Sequence, residues 1–211
     1  MAVAKPQSTR RSRPQERPLT LTPAARRILD VAGDLFYTRG INTVGMELVA
    51  ERAEVTKKTI YDRFGSKQRL VVEYLRERDA RWRAHLTGHV ERADDSPRAR
   101  VAATYDALDT WMGQENQRGC AMVNAYAELS DPDHPGRAVA EEQKRWLRDL
   151  YTGLAARTGA EDPRELADAL AMLHEGAVVA RNVTGVADAA RIARSAADAL
   201  VTARMAPTDQ A

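Results

Sequence analysis

Residues 45–67 read GMELVAERAEVTKKTIYDRFGSK, and the fold follows from how this stretch divides. Met46, Val49, Ala50 and Ala53 recur at the three- and four-residue steps of one helix face. Thr56 then offers an N-cap, and Val55, Ile60 and Phe64 supply the apolar side of a second short helix. Neither helix is long enough to be stable alone, so each must pack on the other and on a neighbour. That neighbour lies upstream. Thr22 is its cap, Pro23 takes the first helical position, and Ile28, Val31, Ala32, Leu35 and Phe36 form its stripe. Gly40 closes it, in the position that favours a left-handed residue.

Working outward, prolines punctuate long runs rich in Ala, Leu, Arg and Glu, all good helix formers. Further helices are predicted to start at Ser66, Ser96-Pro97, near Gly119, around Pro135, at Asp162-Pro163 and near Val186. The best marked spans 162–182, and the last runs over 186–205. No alternating strand pattern bounded by turns occurs. The expected fold is all-α with about nine helices. Residues 1–20 hold three prolines and the cluster Arg10, Arg11, Arg13, Arg17 without apolar periodicity, and read as a disordered basic arm. It either lies along phosphates or is an unstructured leader. The expected division is then 21–67, 68–206 and a tail at 207–211.

Composition bounds the function. The chain has 211 residues, 44% of them hydrophobic and 29% charged, which suits a globular protein with one or two domains. The single cysteine, Cys120, excludes an intramolecular disulfide and a zinc site built from cysteine pairs. No run approaches the roughly 20 apolar residues of a membrane span, so no membrane partner is expected. A soluble, reduced, cytoplasmic protein is the simplest class. The net charge of +2 hides a division: residues 1–69 carry 14 Lys+Arg against 7 Asp+Glu, and residues 70–211 carry 18 against 23. A basic first third on an acidic body points to a polyanion partner for the first part.

The second short helix has what a major-groove reader needs. Thr56 caps it and offers a hydroxyl to phosphate, Lys57 and Lys58 reach phosphates or base acceptors, and Thr59 is short enough for the helix to sink into the groove. Tyr61 joins an apolar ring to a hydroxyl suited to a backbone phosphate, and Lys67 follows Ser66 at the start of the next helix, where N–H groups favour an anion.

Order and spacing here resemble the DNA-binding domain of TetR-family transcriptional regulators. The resemblance covers residues 22–70. It runs through Arg39-Gly40-Ile41, Val49-Ala50-Glu51-Arg52-Ala53, Val55-Thr56-Lys57-Lys58-Thr59-Ile60-Tyr61 and Phe64-Gly65-Ser66-Lys67. It implies a three-helix helix-turn-helix head followed by a helical ligand-binding and dimerisation domain. Thr56, Lys57, Lys58, Thr59 and Tyr61 would then contact DNA from the recognition helix, and Lys67 would hold a phosphate. Two positions depart from the family pattern. Gly45 stands where Ser or Thr usually caps the second helix and touches phosphate, leaving only its N–H for the DNA backbone. Glu54 stands where the turn usually has Gly, at a cost of roughly 1–2 kcal/mol if the residue is left-handed.

For the body, the resemblance implies a homodimer on a two-fold symmetric double-stranded operator and a small-molecule effector. The piece from Arg118-Gly119-Cys120 to Glu128, with Asp131-Pro132 and His134-Pro135, resembles the ligand domain of one subgroup. Trp82, Tyr105, Trp111, Met112, Cys120, Asn124, Tyr126 and Met172 are the candidate pocket residues, as large amphipathic side chains beside isolated polar groups. Leu173, Val178, Ile192, Ala196 and Leu200 recur at helical spacing in two Ala-rich helices and are the candidate dimer seam; the same stripe also fits an ordinary monomer core. A repressor released by its effector is the expected function, with an activator or effector-independent regulator as the alternative. A helical ligand-binding protein or enzyme with a vestigial head is the reading from another class. His85 and His89 lack the glutamate of a metalloprotease helix, and Asp131, Asp133 and His134 sit among prolines as a turn. No phosphate loop or nucleophile elbow appears, so neither catalysis nor a metal or cofactor is expected.

Overall fold

The computed structural model describes residues 22–115 and 117–205. The basic arm with Arg10, Arg11, Arg13 and Arg17, and the tail from 206 onward, lie outside the described residues. Among the described residues there are nine α-helices and no strand. They are α1 (Pro23–Arg39), α2 (Met46–Arg52), α3 (Lys57–Phe64), α4 (Lys67–Arg92), α5 (Pro97–Gln114), α6 (Ala121–Glu128), α7 (Pro135–Ala156), α8 (Pro163–Val183) and α9 (Ala189–Arg204). None of them is long and apolar enough to cross a membrane.

Capping explains most boundaries. The hydroxyls of Thr22, Thr56, Ser66 and Ser96 each accept the N–H three residues on, and Asp162 accepts two N–H groups at 3.0 Å. Proline holds a first-turn position in α1, α5, α7 and α8, where its missing N–H costs no bond. Two sequence expectations need correction. Gly40 is not in the left-handed helical region but at φ 92°, ψ 143°, extended backbone that only glycine enters easily. A Cβ there would meet the Glu128 carboxylate at 3.1 Å, so the glycine also allows a close approach. The last helix starts at Ala189 rather than Val186, because Gly185 turns left-handed at φ 73° and the Val186 N–H returns to Ala180 O.

Two apolar cores result. The first joins α1, α2 and α3 to the first two turns of α4, with Ile28, Phe36, Val49, Ile60, Phe64 and Leu70 at its centre. It does not stop at residue 67: Met122, Ala125 and Leu129 at α6, and Val139 and Ala140 of α7, belong to it. The second core gathers the rest of α4 with α5, α7, α8 and α9 around Leu86, Leu108, Tyr151, Leu166 and Leu170. Helix α4 runs through both. At 26 residues it is about 39 Å long, a rigid rod between the two ends of the molecule.

Candidate nucleic-acid interface and inner cavity

The turn between α2 and α3 rests on one strained residue. Glu54 has φ 54°, the one positive φ at a non-glycine among the described residues. The Val55 N–H bonds Ala50 O at 3.0 Å, and Val55 packs against the first core. Thr56 Oγ1 then accepts the Thr59 N–H at 3.1 Å, and the two threonine hydroxyls lie 2.9 Å apart. Ile60 and Phe64 are buried, which fixes the rotation of α3 and turns Lys57, Lys58, Tyr61, Asp62 and Arg63 to solvent, with Thr59 half-buried.

Both lysines are already engaged. Lys57 Nζ donates to Glu47 Oε1 on α2, and Lys58 Nζ donates to Asp62 Oδ2 at 2.8 Å, one turn along α3. These carboxylates hold both ammonium groups above the usual lysine range, so both are fully charged at neutral pH. The Lys57–Glu47 pair also sets the beginnings of α2 and α3 side by side. Gly45 caps α2 with no side-chain bond and is exposed. Lys67, first residue of α4, is half-buried with its ammonium 6.0 Å from the centre of the Phe36 ring. Burial pulls its pKa down, against the pull of the Glu128 carboxylate. The strip from Gly45 to Lys67 thus exposes short polar side chains, one aromatic hydroxyl and several cations on a rigid three-helix support.

This architecture has known relatives. Residues 28–74 match the family model for bacterial regulatory proteins of the tetR family. The HTH-type transcriptional regulator YjdC of Escherichia coli (strain K12) is 27% identical over 155 residues, covering 70% of this chain and 78% of that protein. A crystal structure of a TetR-family transcriptional regulator from Streptomyces coelicolor superposes with TM-score 0.81 at 28% identity, covering 87% of this chain and 96% of that one. A structure of a protein described as a TetR transcriptional regulator from Streptomyces avermitilis gives TM-score 0.74 at 29% identity, over 87% and 98% of the two chains. Residues 28–74 thus carry a tetR-family DNA-binding domain, and over most of its length the chain is similar to regulators of that family. It is a DNA-binding transcriptional regulator with an N-terminal helix-turn-helix and a C-terminal helical domain, a family and fold of regulators rather than enzymes.

In this chain a small cavity of about 40 Å³, partly open to solvent, lies inside the C-terminal domain. Of the sequence candidates, Trp82, Trp111 and Cys120 line it. The other five lie elsewhere. Tyr105 is buried in the second core with its hydroxyl donating to Leu170 O at 2.8 Å, and Met112 is buried beside it in the same core. Asn124 ties down the preceding loop through Arg118 O, and Tyr126 is exposed beneath the Arg137 guanidinium, 3.7 Å from its ring centre. Met172 is 68% exposed on the outside of α8.

Sequence reasoning missed the polar lining: Arg78, Asp79, Gln143, Lys144, His174 and Glu175. Single charged residues in amphipathic helices read as surface, and no local spacing ties these positions together. Lys144 Nζ donates to Glu175 Oε1 at 2.6 Å and to Cys120 Sγ at 3.3 Å. His174 is buried, and loss of hydration pulls its pKa down to about 4, so the ring is neutral. Glu47 and Asp62, the partners of the α3 lysines, were also missed; only the four-residue step from Lys58 to Asp62 signals either pair in the sequence.

Of the candidate seam residues, Leu173, Ile192, Ala196 and Leu200 share a shallow apolar groove on the outer face of α8 and α9, together with Met172 and Val186. Val178 is buried and lines the inner cavity instead.

Proposed function

We propose that the protein is a homodimeric repressor that leaves a two-fold symmetric operator when a small molecule enters the inner cavity. The carrying observation is the exposed Thr56–Tyr61 face of α3, held in place by the burial of Ile60 and Phe64. On this reading Thr56, Lys57, Lys58, Thr59 and Tyr61 meet base edges and phosphates in the major groove. The Gly45 N–H and Lys67 hold phosphates on either side. Four charges of the α3 strip form two ion pairs, so binding exchanges carboxylates for phosphates rather than desolvating free ammonium groups.

A single α3 spans one half-site. The apolar groove on α8 and α9 supports pairing with a second copy, because Met172, Val179, Val183 and Ile192 leave a large exposed aliphatic surface there. The domain division proposed is a head over 21–67 and a body from 68 to 206, with α4 as the connecting rod.

Two routes join cavity and head. Arg78 on α4 lines the cavity, and its guanidinium lies 4.3 Å from the centre of the Tyr37 ring on α1. The Tyr37 hydroxyl accepts the Arg118 N–H at 2.7 Å and donates to Gly119 O at 3.0 Å, next to Cys120 on the cavity wall. Helix α6 starts at that wall and ends at Glu128, whose carboxylate accepts the Asn42 N–H at 3.0 Å while its carbonyl accepts Asn42 Nδ2 at 2.7 Å. An effector that displaces α4 or α6 therefore moves the head and changes the separation of the two α3 helices. It releases DNA only to the extent that it prefers the non-binding conformation.

Selection of bound duplexes from random sequence tests the reading. A two-fold symmetric consensus is expected, and Lys67→Ala is expected to weaken all bound sequences alike and to lower the salt slope by about one. An asymmetric single site, or no enrichment at low salt, refutes it.

A further inference from the structure

The inner cavity holds two buried acceptors that no donor among the described residues meets. Gln143 on α7 is only 4% exposed, and its Oε1 has no hydrogen-bond partner among the described residues. Asp79 on α4 gives Oδ2 to Arg83 at 2.7 Å while its buried Oδ1 has none. His174 adds a third acceptor. The Thr104 hydroxyl donates to Val101 O at 2.7 Å, so Tyr151 donates to Thr104 and His174 donates to Tyr151 through Nδ1–H, each at 2.9 Å. That leaves His174 Nε2 with a lone pair. The cationic donors on the same wall are taken: Lys144 by Glu175 and Cys120, and Arg78 by Glu115.

The charges cancel in the same way. Lys144–Glu175 and Asp79–Arg83 are closed pairs, and Arg78 shares the Glu115 carboxylate with Arg81, so each charge on the wall already has a counter-ion and an incoming ion would lose its hydration for little gain. The shape is set by rings. Trp82 and Trp111 meet edge to face with centres 5.3 Å apart, and His174 stands edge-on to Trp82 at 5.7 Å.

We propose that this cavity recognises an uncharged, compact aromatic ring carrying at least two hydrogen-bond donors, hydroxyl or amino, which fill the vacant acceptors of Gln143 and Asp79 while the ring packs on Trp82 and Trp111. The inference rests on the reading of the cavity as the effector site and names the class of effector. A buried acceptor left unmet is costly, and a ligand lacking the donors would leave it so.

The test uses the full chain and three probes of similar size: resorcinol, 1,3-diaminobenzene and 1,3-dimethoxybenzene, the last without donors. Quenching of tryptophan emission and calorimetry read the binding. Resorcinol, the diamine or both are expected to bind at least about tenfold more tightly than the diether, the ratio given by one ordinary hydrogen bond. The stronger of the two identifies the donor. Gln143→Met keeps the volume and removes the acceptor; it is expected to cut the preference about tenfold while melting no lower than the parent. Asp79→Asn, which keeps the shape and replaces one acceptor by a donor, is expected to reduce the same preference.

Equal binding of all three probes overturns the proposal. So does binding of none, which would mean that water alone meets these oxygens, or a preference unchanged in both variants. Operator binding by the same samples separates this failure from that of the regulator reading. DNA held normally by a protein that ignores every probe sinks the effector class and leaves the repressor standing. Donor-selective binding without DNA release supports the cavity chemistry and breaks its link to the head.

Discussion

On α3 two lysines face solvent, and each already holds a carboxylate, Glu47 for Lys57 and Asp62 for Lys58. Inside the body, Gln143 and Asp79 face a cavity, and each keeps an oxygen that nothing in the described chain meets. On the proposed reading these two lysines are satisfied before DNA arrives, so DNA must displace their carboxylates, at small net gain per contact and with strong dependence on salt. The body is unsatisfied, so each correct donor contributes the full difference between an orphaned and a bonded group. A regulator gains from this asymmetry. On the proposed function the head would stay exchangeable, while a small ligand in the body would gather the differential binding that shifts the conformational balance.

The largest test of the division is Phe64→Ala. The ring is buried at the end of α3 in the first core, and its removal is expected to cost about 3–5 kcal/mol. Helices α1, α2 and α3 lie wholly in that core, and α5, α8 and α9 wholly in the second. The variant should therefore melt in two steps by circular dichroism, the head first. A single transition lowered as a whole would show that α4 and α6 tie the cores into one cooperative unit and that the two regions are not separable.

Next in size is the effect of pH on the body. The unfolded imidazole of His174 titrates at 6.5 and the folded one at about 4, because burial disfavours the cation; the Glu175 carboxylate opposes the shift and the Lys144 ammonium adds to it. Above pH 6.5 both states are neutral and the stability is complete. As pH falls below 6.5 the unfolded chain takes up a proton that the folded one refuses, and stability drops until about pH 4, below which no more is lost. From pH 7 to pH 5 urea titration should record a loss of about 2 kcal/mol from this group. His174→Phe should remove that part of the slope. An equal slope in the variant would place the loss in other groups and leave the polar interior of the body without a pH signature.

The same contrast governs what the sequence discloses. The head was legible because its candidate interface is contiguous: caps, apolar steps and exposed polar residues all fall between Gly45 and Lys67, where a 3.6-residue period converts order into geometry. Glu54 was legible in part: a non-glycine there is either held left-handed or forces another turn shape, and the structure holds it at φ 54°. The cavity was not. Its walls come from α4, α5, α6, α7 and α8, so Gln143 and Asp79 become neighbours of one space only through packing, which no local period encodes. Aromatic size pointed at Trp82 and Trp111, which line the cavity, but equally at Tyr105, whose hydroxyl is taken up by Leu170 O in the core. Val178 shows the limit of periodicity on α8. A helix buried on one side and apolar on the other presents two stripes, and spacing alone does not say which stripe faces out.

A smaller effect measures how much strain the head carries. Glu54→Gly removes a left-handed non-glycine that costs about 1–2 kcal/mol and adds the backbone entropy of glycine, roughly 0.5–1 kcal/mol. The net expectation is a head more stable by about 0.5–1 kcal/mol in thermal denaturation. Glu54→Val should move the other way, because a β-branched residue tolerates that conformation least. If the glycine variant is less stable than the parent, the turn is not strained and the head is as relaxed as the body.

The subtlest test asks whether the head is truly self-satisfied. Because binding exchanges the Glu47 carboxylate for a phosphate, Lys57→Ala should lower the slope of log K against log salt by up to about one. In a Glu47→Gln background the ammonium has no partner to give up, so affinity should rise with the slope kept, and Lys57→Ala should then abolish the gain. The four proteins form a cycle whose coupling reads the exchange directly. If Lys57→Ala leaves the slope unchanged in the parent, the carboxylate keeps its lysine when DNA is present and Lys57 makes no phosphate contact.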